Sequence, residues 1–346
     1  MANLQDIANK MVAGGRGILA ADESSGTIKK RFDSIDVTST EDKRRDYREM
    51  LFRTPDALKS YISGVILFDE TLRQSAADGT RLATILEEAD CLPGIKVDEG
   101  AKDHDGHDGE KLTDGLDGLP DRLAEYRDLG ATFAKWRAVI GISDTLPTDS
   151  NVRANAERLA AYAKACQDAG IVPIVEPEVT MDGDPGTHSI ARCEEVTDRV
   201  LAIVFEEQAK AGVALDGIIL KPNMVIDGSV ARQSNPASVD EVAERTVRVL
   251  KARVPSGVPG IAFLSGGQSD VEATAHLNAM NTGYDTPFAL TFSYGRALQA
   301  ASLQAWRGQD ANVSAAQTAF AHRARMNHLA ALGKWSMELE EEASAA

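Results

Sequence analysis

Cysteine is scarce in this chain, with three residues (Cys91, Cys166 and Cys193) among 346. An odd number without paired spacing excludes a disulfide framework and points to free thiols in a reducing compartment. None of them has a neighbouring histidine or a glycine-rich elbow, so each reads as a small buried side chain rather than a nucleophile. Long apolar runs are absent: no stretch approaches the roughly 20 apolar residues of a membrane span. Met1 to Lys10 also lacks the basic-then-apolar pattern of a secretory signal. The expectation is a cytoplasmic protein with no membrane partner. Positive charge is in deficit, with 37 Lys and Arg against 53 Asp and Glu and a net charge of −16. That balance argues against non-specific nucleic-acid binding. Any anion site must therefore be built locally, against the overall field.

What is present is a core and a rhythm. Hydrophobic residues make up 43% of the chain. Short apolar or β-branched runs occur at Gly17 to Ala21, Ile62 to Phe68, Gly94 to Val97, Thr132 to Arg137, Val172 to Glu176, Gly217 to Lys221, Gly260 to Leu264 and Phe288 to Phe292. Between them lie amphipathic stretches such as Pro120 to Leu129, Asn151 to Ala169, Ile190 to Ala211, Val239 to Arg253 and Val271 to Met280. Ser238 with Glu241 reads as a capping box, and Gly130, Gly170 and Gly212 stand where a left-handed residue ends a helix. Such alternation means βα units with parallel strands buried on both faces. No linker divides the chain, so residues 1–346 read as a single-domain α/β protein, a (β/α)₈ TIM barrel. It carries an N-terminal helical segment and a mobile charged tail from about residue 335. A doubly wound open sheet is the alternative. Asp98 to Gly118 breaks the rhythm and reads as a long surface loop, since its Asp/Gly/His-rich sequence fails the spacing of a calcium loop.

The chemistry lies at the ends of the runs, which in a barrel gather at one mouth. Lys221 ends the sixth run and is followed by Pro222. A lysine there is held against the core, where desolvation and nearby cations favour a neutral, nucleophilic amine. The other runs end in Asp22, Lys96, Lys135 with Arg137, Glu176 with Glu178, Ser265-Gly-Gly-Gln268 and Ser293-Tyr-Gly-Arg296. Lys135 and Arg137 are two apart on a strand, as are Glu176 and Glu178, so each pair projects to one side. The cations are expected beside Lys221, with a partly protonated carboxylate as proton shuttle. Ion pairs that merely brace the barrel are the competing explanation. Gly266, Gly267 and Gly295 permit close backbone approach, and Arg296 adds a guanidinium fork, which together read as a phosphate site.

These segments resemble those of class I fructose-1,6-bisphosphate aldolases. The likeness runs in order through LAADESSGTIKKR (Leu19 to Arg31), GIKVD, FAKWR, PIVEPE, LKPNM, FLSGGQS and LTFSYGRALQ (Leu290 to Gln299). The resemblance implies a glycolytic lyase that cleaves a sugar bisphosphate through a lysine Schiff base, without cofactor or metal, and often as a homotetramer. It implies Lys221 as the Schiff-base lysine and Glu176 as the acid/base of carbinolamine dehydration. Asp22, Lys135 and Glu178 would handle the C4 hydroxyl. Ser265, Gly266, Gly295 and Arg296 would hold the 1-phosphate, with Gly267 and Ser293 in the same turns. Lys96, Arg137, Ser24, Thr27 and Arg31 would serve the 6-phosphate end or the mouth.

Three departures accompany the likeness. The last residues, Glu340-Glu-Glu-Ala-Ser-Ala-Ala346, lack the C-terminal tyrosine with which many members protonate the enamine. The loop Asp98 to Gly118 differs from the usual family sequence. Asp69 takes a place where histidine is common. A metal-dependent aldolase would need clustered histidines, and His104, His107, His188, His276, His322 and His328 are scattered away from the strand ends. A transaldolase-like Schiff-base enzyme and a catalytically silent binding scaffold remain as alternatives.

Overall fold

The alternation of apolar side chains along each run places them on two faces, and both faces are buried. The computed structural model describes residues 3–181 and 186–342. The strands are β1 (Gly17–Ala21), β2 (Ile62–Leu67), β3 (Leu92–Lys96), β4 (Ala101–Asp103), β5 (Lys111–Thr113), β6 (Phe133–Ile140), β7 (Val172–Val179), β8 (Ile219–Leu220), β9 (Gly260–Phe263) and β10 (Ala289–Tyr294). All but β4 and β5 close into one parallel barrel in the order β1-β2-β3-β6-β7-β8-β9-β10. Leu19, Val65, Trp136, Val175, Leu220 and Phe263 face outward into the layer shared with the helices. Ile18, Ala20, Ile66, Phe133, Ile174, Ile219 and Ala262 face the barrel axis, where helix Leu4–Val12 plugs the lower end with Ala8, Met11 and Val12. Continuing the inward series by steps of two leads from Ala20 to Asp22, from Phe133 to Lys135 and Arg137, from Ile174 to Glu176 and Glu178, and from Ile219 to Lys221. The interior is thus apolar below and charged at the C-terminal mouth.

Several expectations change in detail. β6 and β7 run on to Ile140 and Val179, pairing Arg137 with Glu176 and Val139 with Glu178. Arg137 and Glu178 are therefore held by strand geometry rather than by loops. β8 is short because Pro222 has no N–H to offer a neighbouring strand, yet Lys221 N still donates to Val175 O at 2.8 Å. The stretch 98–118, read as an open loop, contains the antiparallel hairpin β4–β5. Its turn end is fastened by the buried Glu110, which accepts from Thr148 N at 2.8 Å and Thr148 Oγ1 at 2.6 Å. Strands this short carry too little periodicity to be read from sequence.

Gly130, Gly170 and Gly212 do close helices with φ of +103°, +75° and +69°. Ser238 accepts from Glu241 N at 3.2 Å, but the reciprocal bond of a capping box forms at Ser269 and Glu272 instead. The region from about 335, expected to be a mobile tail, contains the helix Met337–Glu342. Helix Met337–Glu342 brings Glu340 onto Arg323, and Trp335 Nε1 donates to Glu340 Oε1 at 2.9 Å. Apolar Trp335 and Glu340 give this segment contacts that its run of glutamates conceals. Residues 343–346 of the expected tail lie outside the described residues. No helix among the described residues is long and apolar enough to cross a membrane.

Glycine makes room for the aromatic ring at the centre of the barrel. A Cβ on Gly94 would stand 2.2 Å from the Phe133 ring, whereas one on Gly26 would meet nothing within 4 Å. Gly94→Ala is expected to cost about 1–3 kcal/mol through overpacking, while Gly26→Ala, within a helix, should be neutral or stabilising by up to about 1 kcal/mol. Urea denaturation of the two variants checks this, and equal midpoints would contradict the packing argument.

Candidate active site

The upper strand ends of the barrel surround a cavity of about 750 Å³. Of the residues singled out from sequence, all but Gly267 line it. Lys221, Glu176 and Lys135 are 4%, 3% and 4% exposed. Their charges alternate along a chain of contacts. Lys221 Nζ lies 3.0 Å from Glu176 Oε1, Glu176 Oε2 lies 3.3 Å from Lys135 Nζ, and Lys135 Nζ lies 2.7 Å from Asp22 Oδ2. Asp98 extends the chain, 3.9 Å from Lys135 and 2.6 Å from Lys96. Glu176 Oε2 is buried and, apart from this ion pair, has no hydrogen-bond partner.

Burial alone would raise the carboxylate pKa values, since a dry site disfavours charge. For Asp22 the opposing pull of Lys135 and Lys221 is stronger and holds it at about 2, against an ordinary 3.8. Glu176 is likewise lowered, because Lys135, Lys221 and Arg137 outweigh its burial. Lys135 is pushed up: burial works against its charge, but Asp22, Glu176 and Asp98 prevail. Arg137 is raised in the same way, with Glu178 as its main carboxylate partner after the effect of burial.

The sequence-based arrangement is corrected here in two respects. Arg137 forms its ion pair with Glu178, and Glu176 stands between Lys135 and Lys221, so the amine adjoins a carboxylate before it meets a cation. Glu176 is accordingly ionised rather than partly protonated. Two cations placed next to the amine would have left both buried charges uncompensated.

Hydroxyls, a helix N-terminus and glycine turns line the cavity on two further sides. Ser24 caps helix Ser25–Asp33, accepting from Thr27 N at 3.4 Å, and its hydroxyl lies 3.2 Å from that of Thr27. Two hydroxyls and the N-terminus of this helix therefore converge on the cavity. Ser265, Gly266, Ser293, Gly295 and Arg296 line the wall built by β9 and β10, where Ser293 Oγ is buried without a hydrogen bond. Arg31 belongs to this wall also: its Nη2 is 3.9 Å from the point where a Gly295 Cβ would be. Gly267 is the bend of the same turn, with φ of +71°, and does not line the cavity.

Sequence reasoning missed Asp98, Glu23, Arg48 and Gln299. Asp98 follows Lys96 by two positions, the same spacing that marked the other pairs, so its signal was available. Glu23 lies 3.4 Å from Arg31 and 3.8 Å from Arg48, and accepts from Gln299 Nε2 at 3.0 Å. Arg48 arrives from helix Glu41–Phe52, a strongly charged segment with nothing to distinguish its buried arginine. Asp69, at the rim, accepts from Tyr126 OH at 2.9 Å and Arg73 Nε at 3.0 Å.

A parallel barrel with a buried lysine, an adjacent buried carboxylate and a cation-lined cavity is equipped for covalent chemistry on an anionic carbonyl compound. Comparison with known proteins gives the particular family. The family model for class I fructose-bisphosphate aldolase matches residues 3–346. A probable fructose-bisphosphate aldolase class 1 from Xanthomonas campestris pv. campestris is 51% identical over 333 residues, which cover 96% of this chain and 98% of that one. Fructose-bisphosphate aldolase C from Rattus norvegicus is 50% identical over 333 residues, covering 96% of this chain and 90% of its own. The solved aldolase of Plasmodium falciparum, in complex with TRAP and a small-molecule inhibitor, superposes with a TM-score of 0.93 at 46% identity, over 96% of this chain and 95% of that one. The chain belongs to the class I fructose-bisphosphate aldolase family.

The depressed pKa of Asp22 makes a claim about stability. A carboxyl lowered in the folded state stabilises the protein above its unfolded pKa and loses that contribution as pH falls through the folded value. At about 1.4 kcal/mol per unit, the stability gap between the protein and its Asp22→Asn variant should shrink by about 2 kcal/mol between pH 4 and pH 2. Urea midpoints across that range measure it, and a constant gap would refute the assignment.

Proposed function

We propose that this protein catalyses the reversible cleavage of fructose 1,6-bisphosphate to dihydroxyacetone phosphate and glyceraldehyde 3-phosphate through a Schiff base on Lys221. The observation that carries the reading is the 3.0 Å contact between Lys221 Nζ and Glu176 inside a cavity rich in anion-binding groups. Lys221 Nζ gives one proton to the neighbouring Glu176 carboxylate, 3.0 Å away, and the freed amine attacks the C2 ketone. A second proton moves from the nitrogen to the carbonyl oxygen, which gives the carbinolamine. Glu176 then returns its proton to the carbinolamine hydroxyl, which leaves as water. The iminium so formed withdraws electrons as the C3–C4 bond breaks, an organic electron sink within the protein.

The C4 hydroxyl must lose its proton in this step. Asp22, ionised and hydrogen-bonded to Lys135 at 2.7 Å, is positioned with Glu178 to receive it, while the Lys135 ammonium steadies the developing negative charge. Glyceraldehyde 3-phosphate departs, and protonation and hydrolysis of the enamine release dihydroxyacetone phosphate. Ser265, Gly266, Ser293, Gly295 and Arg296 hold the 1-phosphate, with Arg31 beside them. Lys96, Ser24 and Thr27 receive the 6-phosphate, and Arg137 steadies Glu178. The relatives named as cytosolic and cytoplasmic forms support a cytoplasmic setting. A homotetramer is the assembly we propose from the family likeness, and sedimentation equilibrium tests it.

Borohydride added with fructose 1,6-bisphosphate should leave a reduced three-carbon or six-carbon adduct on the peptide containing Lys221, with turnover unaffected by chelators. Lys221→Ala should lower kcat/KM by at least about 10³-fold with the fold intact by circular dichroism; retained turnover would contradict the nucleophile. Arg296→Ala should weaken phosphorylated substrates by about 10- to 100-fold, as expected for a charge-assisted bond. An equal effect on unphosphorylated ketoses would count against the phosphate site.

A further inference from the structure

The turn Ser265–Gln268 has little to hold its own shape. It contains two adjacent glycines, it is closed by Gln268 N donating to Ser265 O at 3.2 Å, and it bends at Gly267 with φ of +71°. Glycine peptides reorient readily, so the direction in which this turn presents its N–H groups must be set from outside. A group that grips its main chain is Arg232, whose Nη1 donates to Gly267 O.

The geometry points to Arg232 as a positioning residue for the phosphate-binding turn, a reading that rests on the assignment of Ser265 and Gly266 to phosphate above. Holding the Gly267 carbonyl on the guanidinium keeps that negative dipole end off the cavity, so the turn offers Ser265 and Gly266 to an anion. The second fork of Arg232 is fixed too: Nη2 donates to Glu272 Oε1 at 2.7 Å. Glu272 Oε2 accepts from Ser269 N at 2.8 Å, and Ser269 Oγ accepts from Glu272 N at 3.2 Å. One carboxylate thus ties the guanidinium to the start of helix Asp270–Gly283, directly after the turn. From the other side, His276 Nδ1 lies 2.6 Å from Gln268 Oε1.

Arg232 is supplied by the segment that follows Lys221. Asp227 accepts from Ile190 N at 2.7 Å and from Ala237 N at 2.9 Å, and Gly228 N donates to His188 O at 2.9 Å. Those bonds anchor the segment on both flanks of the short helix Ala231–Ser234 that carries the arginine. The lysine strand and the phosphate turn are therefore joined by a strap, with a planar two-pronged side chain at its crossing point. Lysine could reach one of the two acceptors but not both in the same geometry.

The test compares Arg232→Leu and Arg232→Lys with the unaltered protein, using fructose 1-phosphate as a substrate with one phosphate. Arg232→Leu should raise KM for fructose 1-phosphate by about 10-fold, the scale of losing an orienting partner. Its kcat should stay within about threefold, and its thermal midpoint and borohydride trapping on Lys221 should be unchanged. Arg232→Lys should recover part of the loss. An unchanged KM, or a parallel fall in kcat, KM performance and thermal midpoint, would overturn the positioning role. Ser265→Ala separates the two readings. If it too leaves KM unaltered, the phosphate assignment of the turn fails; if it raises KM while Arg232→Leu does not, only the role of Arg232 fails.

Discussion

Four charged groups in sequence, Lys221, Glu176, Lys135 and Asp22, constrain the rest of this molecule. Each sits in a dry site where an isolated ion would cost several kcal/mol. Alternating the sign along contacts of 3.0, 3.3 and 2.7 Å offsets that cost. The arrangement tolerates little displacement, because the four side chains come from β8, β7, β6 and the end of β1. Only a closed barrel brings the first and the later strands around the same axis, and only a fixed register sets all four at one height. The apolar layers beneath, with Phe133 fitted over Gly94 and helix Leu4–Val12 sealing the base, maintain that register.

The same charges explain how an acidic protein of net charge −16 receives an anionic substrate. A group of its cations, Arg31, Lys96, Lys135, Arg137, Lys221 and Arg296, lines the mouth. Some are balanced by neighbouring carboxylates: Arg31 lies 3.4 Å from Glu23, and Lys96 lies 2.6 Å from Asp98. Backbone contributions complete the site, from the N-terminus of helix Ser25–Asp33 on one side and the glycine turns after β9 and β10 on the other. These dipoles are built into the fold, so they need no reorganisation when charge arrives.

Segments outside the barrel act on the mouth through main-chain anchors. The β4–β5 hairpin is fixed by Glu110 and by Asn155 Nδ2, which donates to Lys111 O at 2.9 Å. Glu99, Gly100 and Ala101 consequently form part of the cavity wall. The strap through Arg232 does the corresponding work beside β9. Both are long connections whose ends are close in the barrel, and neither could hold its shape without polar contacts to distant residues.

What the sequence by itself determined follows from the period of a β-strand. Two-residue spacing sent Lys135 with Arg137, and Glu176 with Glu178, to the barrel interior, and apolar runs ending in charge marked the mouth. Those signals are local, and they were legible without coordinates. Which charges meet was decided only by tertiary structure. Arg137 chose Glu178, Glu176 settled between two lysines, Arg31 turned toward Gly295, and Arg48 and Arg232 arrived from helices with no distinguishing pattern. The contacts of Glu340 belong to the same group, since it looks solvated until Arg323 is beside it. Strand parity is a property of neighbouring residues, whereas ion-pair choice depends on the closure of a ring whose members are far apart in the chain.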